Sequence, residues 1–348
     1  MTRSNKCVSF LVLAMACCVW PAQAVCQAKP KPDITIKLAT PLPRGSAHYQ
    51  VLEAMGQRWR DASRGTVAVT IYGDGTQGGE AETVQRLRIG QIQAATLAAS
   101  GLSEIEPSVG ALEKLPMVYR SLEEMEYVRA HMRVEIEKRL EAKGFVVLFW
   151  ADSGWINIFS RQPAIHPDEF KKTKVCVGAT DHEEFEIAKG LGFPPVPLEW
   201  SNVLTSLHSG MVDTITTAPF LALAGQYDTV AKNMLDIPWV PLVGGTVITT
   251  KAWNSIPPQY RDGFRQAAIE AGQQMQARGR QQSLEAVEAM KKRGLQVHSV
   301  SPQLLDEWQT FAQAVYPRMR GTMVPADMFD EVLHLLQDYR SAKRGTKS

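Results

Sequence analysis

Cysteine, histidine and the carboxylates are the residue types here that could do chemistry, and their spacing decides which chemistry is open. The chain holds five cysteines and seven histidines in 348 residues. No Cys-x-x-Cys occurs, and the histidines show no metal-ligand spacing. Cys176 stands in Lys174-Val175-Cys176-Val177, which reads as a buried strand. As a nucleophile it would need a depressed pKa and a nearby base, and no neighbouring His supplies one. Its other reading is a packed core thiol. Asp181-His182-Glu183 reads as a solvated helix start rather than a metal site. No Gly-x-Ser-x-Gly elbow, P-loop or dinucleotide glycine fingerprint appears. The expectation is therefore a protein that is not an enzyme, with no metal and no cofactor.

The elements that must position these residues alternate between strand and helix, which predicts an α/β fold. Strands are expected at Ile34 to Thr40, Thr66 to Tyr72, Gln93 to Ala98, Phe145 to Trp150, Lys174 to Gly178, Thr214 to Thr217, Gly245 to Thr250 and Leu295 to Val300. Helices are expected at Ala47 to Ala62, from Glu80, at Leu122 to Lys143, His182 to Lys189, Ser201 to His208, Pro302 to Met319 and Asp327 to Tyr339. A longer helix opens at Ile256-Pro257-Pro258 and runs to about Lys292. Prolines suit a helix start because the amide hydrogens they lack would be unpaired there. Glu80 suits a helix start through the dipole, with a ligand contact as the alternative.

Residues 1–24 predict a secretory signal peptide. Arg3 and Lys6 precede the apolar run Cys7 to Trp20, and Ala22-Gln23-Ala24 offers a cleavage site after Ala24. The run is shorter than the ~20 residues of a membrane span. Cleavage would leave 36 basic against 36 acidic residues and only Cys26 and Cys176 of the cysteines. That balance argues against nucleic acid as a partner. The 324 residues that remain, 348 less 24, exceed a comfortable single core and predict two lobes.

Several stretches occur in a familiar order. They are Lys37-Leu38-Ala39; Tyr72 followed by Gly78-Gly79-Glu80 and Leu87-Arg88-Ile89-Gly90; Leu115-Pro116-Met117-Val118-Tyr119-Arg120; Trp150 to Trp155; Leu198 to Gly210 with Met211-Val212-Asp213; and Trp253-Asn254-Ser255-Ile256-Pro257-Pro258. From about Ile34 to Val297 the chain resembles the DctP-type solute-binding proteins of tripartite ATP-independent periplasmic (TRAP) transporters. The resemblance implies a two-lobed periplasmic binding protein fold with cross-over strands and a long helix bridging both lobes. It implies lobe I at 33–153 plus 242–281 and lobe II at 154–241 plus 282–340, closing on a small-molecule ligand. It also implies a periplasmic location and TRAP-type permease subunits as partners. A ligand-presenting sensor is the alternative function, and a periplasmic enzyme the remaining one.

Two departures from the family pattern bear on cargo. The resemblance implies an Arg where Cys176 stands, a side chain that clamps a carboxylate in bidentate fashion. It implies a second Arg where Ile156 stands, and an Asn where Thr217 stands. Without a guanidinium, an enclosed carboxylate would lose several kcal/mol in desolvation. The cargo is therefore expected to be neutral or hydrophobic, with a periplasmic repeat lipoprotein as a further partner in such a subgroup. The expected cleft residues are Cys176, Trp155, Ile156, Thr217, Trp239, Thr40 and Trp150, the tryptophans supplying apolar lining.

Overall fold

The computed structural model describes residues 32–179 and 181–345. The expected signal segment 1–24 and Cys26 lie outside the described residues. The strands and helices, in chain order, are β1 (Ile34–Ala39), α1 (Ala47–Ala62), β2 (Val67–Tyr72), α2 (Glu80–Arg88), β3 (Ala94–Ala98), α3 (Ala99–Ser103), α4 (Leu122–Ala142) and β4 (Phe145–Ser160). Then come α5 (Pro167–Phe170), β5 (Val175–Gly178), α6 (His182–Gly190), β6 (Pro195–Leu198), α7 (Val203–Ser209), β7 (Thr214–Thr217), α8 (Pro219–Ala224) and β8 (Asn233–Thr249). The chain ends with α9 (Thr250–Ser255), α10 (Pro258–Lys292), β9 (Gln296–Ser299), α11 (Pro302–Met319) and α12 (Ala326–Gly345).

The strands form one mixed sheet in the order β2-β1-β3-β8-β4-β7-β5-β6, with β9 also paired to β8. Its centre is the antiparallel pair β4 and β8, of 16 and 17 residues. Both are far longer than the short strands expected at Phe145 to Trp150 and Gly245 to Thr250. Gly154, Pro238 and Pro241 interrupt the apolar pattern in sequence. The ladder absorbs them through register shifts between Asp152 and Trp155 and between Ile156 and Ile158. Gly154 takes φ of 87°, a conformation that a side chain would strain.

Two pairs of apolar clusters flank the sheet. In the first lobe, Ile36, Leu38, Trp59 and Phe264 belong to one cluster, and Val84, Leu97, Met125 and Val147 to the other. In the second lobe, Phe159, Val203, Ile215 and Met290 form one, and Ile158, Phe170, Phe193 and Trp308 the other. Helix α10 joins the two lobes. Its first half buries Phe264, Ala268 and Met275 in the first lobe, and its second half buries Ala286 and Met290 in the second. The Trp59 ring stacks on Phe264 at 4.5 Å, and its indole N–H donates to the Phe264 carbonyl at 3.1 Å. Helix α11 also passes between lobes, with Trp308 in the second core and Val315 and Met319 in the first.

One expected boundary is corrected. Residues 282–340 were assigned to lobe II, yet α12 puts Phe329, Val332 and Leu336 into the first-lobe cluster with α4. Arg340 seals this packing by donating to both Glu124 oxygens at 2.8 and 2.7 Å. An apolar face committed to α4 leaves α12 none for the second lobe.

Candidate functional site

Strand direction locates the site. In the first lobe β1, β2 and β3 are parallel, and β3 meets β8 with Ala94 opposite Ile248 and Ala98 opposite Gly244. In the second lobe β5, β6 and β7 are parallel, and β7 meets β4 with Thr217 opposite Asn157. Both sets therefore point their carboxyl ends at the middle of β4 and β8. Open α/β sheets bind ligands beyond strand carboxyl ends, where the order of strands switches. Here two such ends face one another and make a cleft.

The cleft rim is held by contacts between lobes. Lys114 Nζ donates to Asp181 Oδ2 at 3.3 Å. Asp181 also caps α6 by accepting the Glu184 N–H at 3.0 Å. A side chain at Gly79 would start 4.0 Å from Glu199 Oε2, so Glu199 reaches over the first lobe. The His48 ring, from α1, stacks on Phe220, from α8, at 5.5 Å.

Several carboxyl groups stand near this rim. Glu80, at the start of α2, accepts from the Ala98 N–H at 2.6 Å and the Ser100 hydroxyl at 2.7 Å, which ties α2 to the end of β3. Glu113 Oε2 accepts the Val243 N–H of β8 at 2.8 Å. Burial pushes the Glu113 carboxyl up to about 8, against the lowering effect of that bond, and Glu80 and Glu184 add to the rise. Burial and then Asp181 push Glu184 up to about 7. Glu184 nevertheless keeps part of its surface open. The two facts agree if that surface faces an enclosed gap instead of bulk water.

The hinge behind the cleft is charged but balanced. Asp152, 1% exposed at the crossover of β4, accepts from Arg280 Nε at 2.7 Å and Nη2 at 2.9 Å. Arg280 also bonds Glu126 of α4 at 2.6 Å, and Arg129 stands 3.6 Å from Asp152. Ser283 donates to the Ser153 carbonyl at 2.8 Å. The middle of α10 is thus pinned to the crossing point.

The expected cleft residues separate into two groups. Trp155 and Ile156 lie at the crossover, partly buried, with Ile156 opposite Val240. Thr40 directly follows β1, 3% exposed, its hydroxyl accepting the Leu42 N–H at 3.2 Å. Thr217 ends β7, 2% exposed. These four sit where the strand ends converge. Trp150 instead donates its indole N–H to Glu137 of α4 at 3.0 Å, under that helix. The Trp239 ring packs edge-on against Phe170 and Trp308 in the second-lobe core. Cys176 is 7% exposed within the Phe159 and Ile215 cluster, and burial pushes its thiol up to about 12. A thiol so placed is a packing group. Glu113, Lys114, Glu184 and Glu199 were not foreseen. Glu113 and Lys114 occupy an irregular segment with no periodicity to mark them, and the acids of α6 read only as a helix start.

Comparison with known proteins agrees with this architecture. The DctP protein of Rhodobacter capsulatus, a C4-dicarboxylate-binding periplasmic protein, is 23% identical over 285 residues, covering 80% of this chain and 83% of its own. A TRAP periplasmic solute-binding protein of Xanthobacter autotrophicus Py2, solved with β-D-galacturonate, superposes with a TM-score of 0.78 at 18% identity, over 87% of this chain and 99% of its own. One from Ralstonia eutropha H16, solved with (S)-2-acetolactate, gives 0.79 at 20% identity, over 87% and 99%. Residues 38–322 match the profile of the bacterial extracellular solute-binding proteins of family 7, which are binding proteins and not enzymes, and the chain belongs to that family.

Proposed function

We propose that this protein is the extracytoplasmic receptor of a TRAP-type uptake system, closing two lobes on a small solute and presenting the loaded form to membrane permease subunits. The observation that carries the reading is the convergence of parallel-strand carboxyl ends from both lobes on β4 and β8. The Lys114–Asp181 contact spans the resulting cleft. Ligand contacts to both lobes favour the closed form, which is what a permease needs to tell loaded from empty protein. An extracytoplasmic location is part of this reading, and the expected 1–24 signal segment supports it. Lobe boundaries near 153/154 and 241/242 fit the glycine turn and register shift at the crossover.

The cargo is held without a guanidinium clamp. Position 176 carries a core thiol and position 156 an isoleucine. The relatives named above bind or hold carboxylates. The neutral or hydrophobic cargo expected from the missing arginines draws no support from them, and Trp150 and Trp239 do not supply the apolar lining it needs. What supports a different cargo chemistry is the change of the lining itself. The test is mass spectrometry of solute that copurifies with native protein, joined to small-angle scattering before and after its removal. A bound solute and a smaller radius of gyration in the loaded form are expected. Protein that carries no solute and never contracts would remove the receptor reading.

A further inference from the structure

The outer end of the second lobe carries a pocket of about 400 Å³ that solute capture in the cleft does not use. Arg161 and Pro163 line it from the chain after β4, Lys172 from the turn after α5, and Asp213 and Thr214 from the start of β7. Thr217, at the other end of β7, faces the cleft. The pocket therefore lies at the opposite end of that strand, ~10 Å away along it. Its size falls within the roughly 300–1,000 Å³ of small-molecule sites.

Two groups of this lining are unused. Thr214 is 0% exposed, and its hydroxyl oxygen is buried with no hydrogen-bond partner among the described residues. An interior hydroxyl left unbonded is unfavourable. Thr214 stands opposite Ser160 of β4 and beside Val175 of β5, and Val175 packs in one cluster with Phe170 of α5. Its side chain therefore lies on the face of the sheet that α5 covers, which is the side of the pocket. The second unused group is the exposed Lys172 ammonium, which has no hydrogen bond or salt bridge among the described residues. The acids here are already answered. Asp213 has Arg161 at 3.4 Å and Lys174 at 3.8 Å. Glu169 Oε2 accepts the His166 N–H at 3.0 Å and the Ile165 N–H at 2.8 Å, and these bonds hold its carboxyl below the usual range. A side chain at Gly210 would start 2.7 Å from Arg161 Nη1, so the guanidinium folds over that turn. What is left to bind a guest is a buried hydroxyl and a positive charge.

We infer that this pocket is a second binding site, which takes a small aliphatic carboxylate whose oxygens meet the Thr214 hydroxyl and the Lys172 ammonium. A carboxylate only accepts hydrogen bonds, and both unused groups can donate. Pro163 and the stems of Arg161 and Lys172 supply apolar wall for the hydrocarbon part. A cation would meet Lys172 and Arg161, and a neutral amide would leave the Lys172 charge unanswered. The site is separate from the cleft and does not depend on what the cleft carries.

The experiment uses the secreted full-length protein with its copurified solute in place. It is titrated calorimetrically with butyrate, butyramide and butylammonium, each at the same total ionic strength. Butyrate should bind one to one and the other two should not, and mass spectrometry should show the copurified solute still bound. Lys172→Gln and Thr214→Val should each weaken butyrate about tenfold. Thr214→Val should also melt no lower than the parent without butyrate, because a methyl group replaces an unbonded hydroxyl. Absence of butyrate binding overturns the site, as does butyramide binding equally well. Unchanged butyrate affinity in either variant, or release of the copurified solute by butyrate, overturns it by placing the ligand elsewhere. A lower melting temperature for Thr214→Val would show that the hydroxyl already has a partner, and also overturns it.

Discussion

The hinge and the cleft both gather charged side chains, yet they treat charge in opposite ways. At the hinge, Asp152 is enclosed with Arg280 and Arg129, and Glu126 also pairs with Arg280, so acids and bases match in number. In the cleft, Lys114 pairs with Asp181, while burial pushes the Glu113 and Glu184 carboxyls up to about 8 and about 7. A buried charge is tolerable when its partner is built in, and costly when the partner must come from outside. The hinge acids are thus answered by arginines of this chain. In the cleft, burial instead raises the pKa of Glu113 and Glu184.

The largest expected effect breaks the balanced side. Arg280→Ala leaves Asp152 with the longer contact to Arg129 and the Gly154 N–H at 3.4 Å, and should cost about 3 kcal/mol in urea unfolding. A loss under ~0.5 kcal/mol would show that the hinge network is not a closed unit.

The unbalanced side should respond to neutralisation with the opposite sign. The Glu113 carboxyl titrates near 8 when folded and near its ordinary 4.5 when unfolded. Its contribution to stability is full below the unfolded value and lost as pH rises through the folded one. The melting temperature of stripped protein should fall between pH 5 and pH 8, and Glu113→Gln should flatten that slope by several degrees. An unchanged slope would mean that Glu113 is not the enclosed acid described.

A smaller effect concerns the rim. Lys114→Met removes the contact between lobes and frees Asp181, and should weaken retention of the copurified solute about fivefold, equivalent to ~1 kcal/mol. Dialysis followed by mass spectrometry reads this out. Unaltered retention would show that the lobes close without it.

The smallest effect tests position 176. In a Cys26→Ser background the thiol should resist a disulfide reagent at pH 8 while folded, and react at once in denaturant, because burial holds its pKa near 12. Rapid reaction of the native protein would put Cys176 in the cleft.

Much of this frame was legible in the chain. Helix α10 opens at Pro258 and stops at Lys292, as Pro257-Pro258 and the length of the pattern predicted. Strand β7 occupies Thr214–Thr217 as read. The long crossing strands were truncated in the reading because glycine and proline ordinarily end strands, and the register shifts that accommodate them exist only once β4 and β8 are paired. The site was the least legible part. Thr40, Trp155, Ile156 and Thr217 fall where the strand ends converge because strand ends and crossovers can be located from local pattern. Glu80, Glu113, Glu184 and Glu199 come from separate segments, and none carries a local mark that it will meet the others. Trp150 and Trp239 show the converse: their size suited a pocket wall, but which face of a strand they took depended on α4 and on Trp308.

The chain passes between the lobes along β4, β8, α10 and α11, so neither half of the molecule is a continuous stretch of sequence. A single protease nick in one of these crossings would leave the halves tethered by the others. Truncation, by contrast, cannot liberate either half as a self-standing module, since each would lose strands or helices that complete its interior. Swapping cargo preference between such receptors is therefore a matter of exchanging side chains at the gap, because cutting and joining whole lobes is closed to this topology.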